Sequence, residues 1–169
     1  MKETECRDIY RKSFCDPDTY FENLLFKYCF KYSETLEVDG KTVSMLFALP
    51  VTLETAAGET DGVYIYAAAT DTESRGKGYM HKLLEKVKAK CDLLILRPAN
   101  DALIKYYEKF DFKTVLSDNR SIITVTPKGG YLELVTAADL KPEKESVTAM
   151  YYSKNSIDFN SIHLPFRMF

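Results

Sequence analysis

The sequence predicts a mixed α/β fold, a central sheet with helices on both faces, on the strength of three features. Residues 64–70 form a nearly continuous apolar run and residues 93–96 repeat it, the pattern of strands buried on both sides. Between them Met80, Leu83, Leu84 and Val87 recur at helical spacing, which gives a strand, helix, strand unit with parallel strands and a right-handed crossover. The first strand hands over to the helix through Ser74-Arg75-Gly76-Lys77-Gly78, a basic turn with two glycines. The N–H groups that open a helix have no partner within it and the helix dipole adds positive potential there, so such a turn suits an anion.

The remaining elements follow in chain order. Residues 3–14 read as a helix with few core positions, and Asp16-Pro17 ends it and starts another, with Tyr20, Phe21, Leu24, Leu25 and Tyr28 along one face. Strands at 35–38 and 43–53 are joined by Asp39-Gly40, a hairpin turn in which both residues accept positive φ. A polar loop is expected at 55–62. After the central unit comes a short Tyr-rich helix beyond Asn100, then strands at 112–116 and 121–126 around the turn 117–120, and a further strand at 131–135. Pro142 starts a helix running through Tyr152, and the apolar stretch 157–169 is expected to pack on the body.

At 169 residues, 46% of them hydrophobic and 28% charged, the chain is sized and balanced for one globular domain. A net charge of -2 argues against nucleic acid as the main partner, because phosphate backbones call for a clustered basic surface. Charge is nonetheless segregated. Between residues 33 and 73 the acids Glu34, Glu37, Asp39, Glu54, Glu59, Asp61, Asp71 and Glu73 face the single base Lys41, whereas bases dominate from 74 to 113. This asymmetry suits an anionic cofactor on one side and a cationic substrate on the other, beside the plainer reading of solvated loops. Cys6, Cys15, Cys29 and Cys91 lie far apart with no Cys-x-x-Cys pair and only two histidines, so neither a metal site nor a disulfide framework is expected. The charged N-terminus lacks a signal core and the longest apolar stretch, 45–51, contains Pro50. No membrane segment is expected, and the expected location is the cytoplasm.

Arg75-Gly76-Lys77-Gly78 resembles the acyl-CoA pyrophosphate loop of the GNAT superfamily of N-acyltransferases, Gln/Arg-x-x-Gly-x-Gly/Ala at a strand-to-helix junction. Arg75 takes the first position and Gly78 the central glycine; Met80 stands where Gly or Ala is usual. The stretch from Asn100 to Phe112 resembles the family's later motif of Asn, a short helix, Tyr, then Gly-Phe, with Asp111 replacing the glycine. The resemblance implies a GNAT-like mixed sheet splayed at its centre. It also implies a single acetyltransferase domain over 1–169, with a core of about 1–135 and the extension 136–169 packing on it. Acetyl-CoA is the implied co-substrate, with no metal, and a small-molecule or peptide amine the acceptor; a homodimer is left open.

The same resemblance assigns roles to residues. Arg75, Gly76, Lys77, Gly78, Tyr79 and Met80 would hold the pyrophosphate, with Lys82 near the adenosine phosphates, unless the glycines merely turn the chain. Ala68, Ala69 and Thr70 would offer a free strand edge to the pantetheine arm, and the Ala68 or Ala69 N–H would stabilise the developing oxyanion; tight packing under a helix is the plainer account of the alanines. Tyr107 would protonate the departing thiolate, with Tyr106 as fallback. Yet Leu103, Tyr106, Tyr107 and Phe110 also form an ordinary i, i+3, i+4, i+7 core stripe. Asn100 either bonds the cofactor or caps its helix. No spacing singles out a general base among Glu54, Glu59, Asp61 and the carboxylate of Phe169, and His81 and His163 fit structural or solvent roles. The expected reaction is direct attack by a small cationic amine in a ternary complex; the alternative is an acyl-CoA-binding sensor without turnover, suggested by Met80 and Asp111 at glycine positions.

Overall fold

The computed structural model describes residues 2–15, 19–55, 58–117, 124–127 and 147–155. The expected cap at Asp16-Pro17, the strand at 131–135, the helix start at Pro142 and the apolar stretch 157–169 lie outside them. In chain order the elements are α1 (Lys2–Phe14), α2 (Thr19–Cys29), β1 (Ser33–Val38), β2 (Lys41–Thr55), β3 (Gly58–Thr70), α3 (Tyr79–Lys90), β4 (Leu93–Leu96), α4 (Asp101–Glu108), β5 (Lys113–Ser117), β6 (Thr124–Pro127) and β7 (Val147–Ser153). Their strands form one sheet in the order β1-β2-β3-β4-β7-β5, with β6 also on β2. All these pairs are antiparallel except β3 with β4.

Alternation along the strands divides the core in two. Met45, Phe47, Leu49, Tyr64, Tyr66 and Ile95 face α1 and α2, whereas Leu46, Ile65, Leu94 and Leu96 face Met80, Leu83, Leu84 and Val87 of α3 and Tyr107 of α4. β4 is buried along its whole length, as its continuous apolar spelling requires. Pro50, in mid-strand, falls between the end of β1 pairing at Phe47 and the start of β6 pairing at Val51. There β2 has a ladder on one edge alone among the described residues, so a missing N–H is tolerated.

Two expectations are corrected. The loop at 55–62 is instead the far end of the β2–β3 hairpin, which pairs out to Thr55 and Gly58, its polar residues lying on an outer, solvated part of the ladder. The helix through Tyr152 is, over Val147–Ser153, a strand that pairs with β4 on one edge and β5 on the other. Ala149 and Tyr151 face one core and Met150 the other. Burial on both faces overrode the local helical signal.

Glu22 on α2 is 3% exposed. Arg11 donates to it at 2.8 and 2.9 Å and Arg7 at 2.9 Å, and the Arg7 guanidinium lies 4.4 Å from the Phe26 ring centroid, so the ions join α1 to α2. Burial pushes the Glu22 carboxyl up, but the hydrogen bonds from Arg11 and Arg7 outweigh it and hold the group below the usual carboxylate range. A depressed folded value contributes stability above the unfolded value and loses it as pH falls through the folded one. Glu22→Gln is therefore expected to cost roughly 2 kcal/mol at neutral pH. In thermal melts the gap from wild type should close below about pH 4; a gap that persists unchanged into acid would mean that the charge is not what stabilises the pair.

Candidate active site

The parallel ladder is short, matching Val63 with Leu94, Tyr64 with Ile95 and Ile65 with Leu96. Beyond it β3 runs on to Thr70 alongside β2, while β4 leaves through residues 97–100 into α4. The sheet parts, and a cavity of about 460 Å³ opens in the fork. Its walls come from Tyr64 to Ala68 of β3, Leu103, Ile104 and Tyr107 of α4, the connection from Arg97 to Asp101, and Phe14 at the end of α1.

A bulge shapes the β3 wall. Phe47 pairs with Tyr66 but Met45 with Ala69, so β3 takes three steps where β2 takes two. Ala67 absorbs the extra residue at φ +50°, a left-handed conformation that costs a non-glycine residue about 1–2 kcal/mol. Consequently Tyr66 and Ala67 pack in succession toward α1, and Ala68 faces the α3 side. Ala68 is matched with a residue in neither the β2 nor the β4 ladder.

Of the residues singled out in the sequence, Ala68, Asn100 and Tyr107 share this cavity, whereas Ala69, Thr70 and residues 75–80 do not line it. Tyr107 is 7% exposed, packed edge-on to Tyr106 and Phe112 at 5.4 and 5.7 Å between ring centroids. Burial, with a smaller effect from Tyr106, pushes its phenol up to about 12, so it stays protonated at neutral pH. Asn100 caps α4, its Oδ1 accepting the Leu103 N–H at 3.1 Å. Thr70 exchanges a 2.8 Å hydrogen bond with Ser44.

The glycine turn lies past the end of β3. Gly76 and Gly78 take φ of +76° and +73°, conformations that favour glycine, and a Cβ at either would meet nothing within 4 Å. Gly78 is the N-cap of α3 with no side-chain cap, so no capping side chain takes up the first helical amides. Met80 buries its side chain in the α3 core. Lys77 is exposed, and the Lys82 ammonium sits 5.8 Å from the Tyr79 ring centroid. Arg75 folds back to donate to the Thr70 carbonyl at 3.2 Å and to Ser13 Oγ at 3.3 Å, tying the turn to β3 and α1.

Asp71, 2% exposed, adds a second tie that the sequence reading passed over. Lys12 donates to its carboxylate at 3.0 Å and Lys41 stands 3.8 Å away. The Lys12 hydrogen bond, opposed by burial, holds the Asp71 carboxyl below its usual range. Its backbone N–H donates to Val43 O at 2.9 Å and its own carbonyl accepts from the Ser74 N–H at 2.8 Å. Phe14, Arg97 and Asp101 were also missed as cavity residues; only their proximity to the motifs could have pointed to the last two, and nothing in α1 signalled Phe14. Glu59 and Asp61, considered as bases, lie exposed on the β2–β3 hairpin and away from the cavity lining. The side chain of Glu54, and Phe169, lie outside the described residues.

A family model described as an acetyltransferase (GNAT) domain matches residues 2–115. No curated protein matches the chain. Solved structures with a similar fold include a protein from Enterococcus faecalis V583 described as a probable N-acyltransferase, at 18% identity and TM-score 0.58, with 66% of this chain and 30% of that one covered. A GCN5-related N-acetyltransferase from Kribbella flavida aligns at 13% identity and TM-score 0.57, over 68% of this chain and 32% of that one. A GNAT family acetyltransferase from Brucella melitensis in complex with acetyl-CoA aligns at 14% identity and TM-score 0.50, over 86% and 88%. The chain thus spans about a third of the length of the first two, and at these identities the likeness is one of fold.

Proposed function

The chain belongs to the GNAT acetyltransferase family, and from that premise we propose that it is an acetyl-CoA-dependent N-acetyltransferase acting on a primary amine, as one domain, in the cytoplasm. The observation that carries the reading is the fork between β3 and β4, where an unpaired stretch of strand at Ala68 faces a buried phenol at Tyr107 across one cavity. The residues fit the co-substrate. The open amides from Gly76 to Met80 offer a diphosphate cradle, and the free edge of β3 offers backbone groups to an amide-bearing arm.

Acetyl-CoA supplies a thioester carbon that the amine nitrogen can attack. The Ala68 N–H donates to the carbonyl oxygen as negative charge builds there. As the carbon–sulfur bond breaks, the Tyr107 hydroxyl gives its proton to sulfur, while the protons shed by the attacking nitrogen pass to solvent, from which the phenolate is reprotonated. Holding amine and thioester in line within the fork supplies much of the rate. A covalent acyl-enzyme is not part of this scheme: none of the four cysteines lines the cavity, and burial pushes the Cys6 thiol up to about 11 and that of Cys29 to about 12.

The acceptor we propose is a small cationic amine. Asp101 brings a carboxylate to the cavity wall in the first turn of α4. The acidic hairpin end at Glu59 and Asp61 adds to the pull on a cation. A non-catalytic acyl-CoA sensor was favoured by Met80 and Asp111, but Met80 points into the core and Asp111 adopts the glycine-like φ of +62° itself. Mixing the protein with acetyl-CoA and a panel of amines tests the reading: thiol release that depends on the amine is expected. Acetyl-CoA binding with no such release would return the sensor.

A further inference from the structure

Lysines on an amphipathic helix ordinarily face water, yet Lys88 of α3 is 5% exposed. Its ammonium donates to the Phe110 carbonyl at 2.5 Å, lies 3.0 Å from a Glu85 carboxylate oxygen and stands 4.3 Å from the centroid of the Tyr152 ring. An ammonium has three N–H donors, and here a carbonyl, a carboxylate and a ring face are gathered around them. A buried cation needs such complete partnering to offset its lost hydration. Core packing alone would have been served by a leucine.

What the ammonium grips is the turn that ends α4. The N–H groups of Phe110 and Phe112 both donate to the Tyr107 carbonyl, at 2.9 and 3.3 Å. The chain reverses between them at Asp111, with φ +62° and a carboxylate oxygen 3.9 Å from the Lys88 ammonium. Phe112 then turns its ring to Tyr107. A cation at this place also complements the negative end of the α4 dipole.

We propose that Lys88 is a positioning residue for the acetyl transfer: by fixing the Phe110–Asp111–Phe112 turn it aims the Tyr107 hydroxyl into the fork. Lys88 does not line the cavity, so it acts through Tyr107 and not on the substrates. The inference rests on the reading of Tyr107 as the acid, and a double-mutant cycle separates the two. Lys88→Met is expected to lower kcat by roughly ten- to a hundredfold, as small misplacements of a reacting group do. KM for acetyl-CoA should stay within about twofold, since uniform binding is untouched. Introduced into Tyr107→Phe, the same change should lower kcat by less than about threefold, because the hydroxyl it aims is already gone. An equal loss in both backgrounds would make Lys88 merely structural, and an unchanged kcat in Lys88→Met would dismiss it. If Tyr107→Phe alone turns over normally, the acid reading fails and the positioning role goes with it. Should Lys88→Met not fold, Lys88→Arg keeps the charge while altering the contact to Phe110, and enters the same cycle.

Discussion

Tyr107→Phe should lower kcat about a hundredfold or more while CoA affinity moves by less than about twofold. The ring that packs against Tyr106 and Phe112 is kept, so the fold and the cavity wall survive the change. Only the hydroxyl is removed. Among the described residues the hydroxyl has no hydrogen-bond partner in the protein, and burial leaves the phenol almost wholly protonated across the neutral range. A group in that state gives up its proton only where a stronger base is generated beside it, as at a sulfur losing its acyl group. The loss should be smaller with acyl donors whose leaving thiols are more acidic, because they need less help to depart. A fall in CoA affinity with normal kcat would show instead that the hydroxyl serves binding.

Asp71→Ala should raise KM for acetyl-CoA about tenfold with kcat little changed, a loss of binding shared by ground and transition states. Asp71 is the hub between α1, the start of β2 at Lys41, and the approach to the glycine turn. Without its carboxylate Lys12 is released into solvent, and the turn keeps the Arg75 contacts to Ser13 and Thr70 and the main-chain bonds to Val43 and Ser74 but loses its ionic tie to α1. The wild-type protein should show the same weakness in acid. With its folded value depressed, Asp71 helps above the ordinary carboxylate pKa and ceases to help as pH falls through the lowered value. Acetyl-CoA affinity measured by calorimetry should thus decline on the acid side in wild type and be flatter in Asp71→Ala. Equal acid profiles in the two proteins would remove Asp71 from the account.

The parts of the fold that local pattern can specify were legible. The run from Tyr64 to Leu96 carries its own strand, turn, helix and strand signals in adjacent segments, and Asp39-Gly40 marks its hairpin with φ of +51° and +75°. Parts that depend on distant partners were not. β7 is a strand because β4 and β5 flank it, and no periodicity in residues 147–153 announces those neighbours. The bulge at Ala67 is set by the mismatch of two strands, and three consecutive alanines and a threonine hide it. Nothing next to Lys88 in the sequence announces its burial, because its acceptor lies twenty-two positions further along the chain.

The placement of β7 bears on the order in which the sheet can be assembled. β4 and β5 are close in sequence yet never touch; the strand that joins them arrives some thirty residues after β5 ends. Among the described strands only β7 covers their facing edges, so during synthesis they lack that partner until residue 153 has cleared the ribosome, and bare edges are templates for pairing with other chains. A nascent or clipped chain lacking β7 would keep the Tyr64-to-Leu96 unit but leave β5 with no neighbour among the described strands, which makes aggregation its default fate.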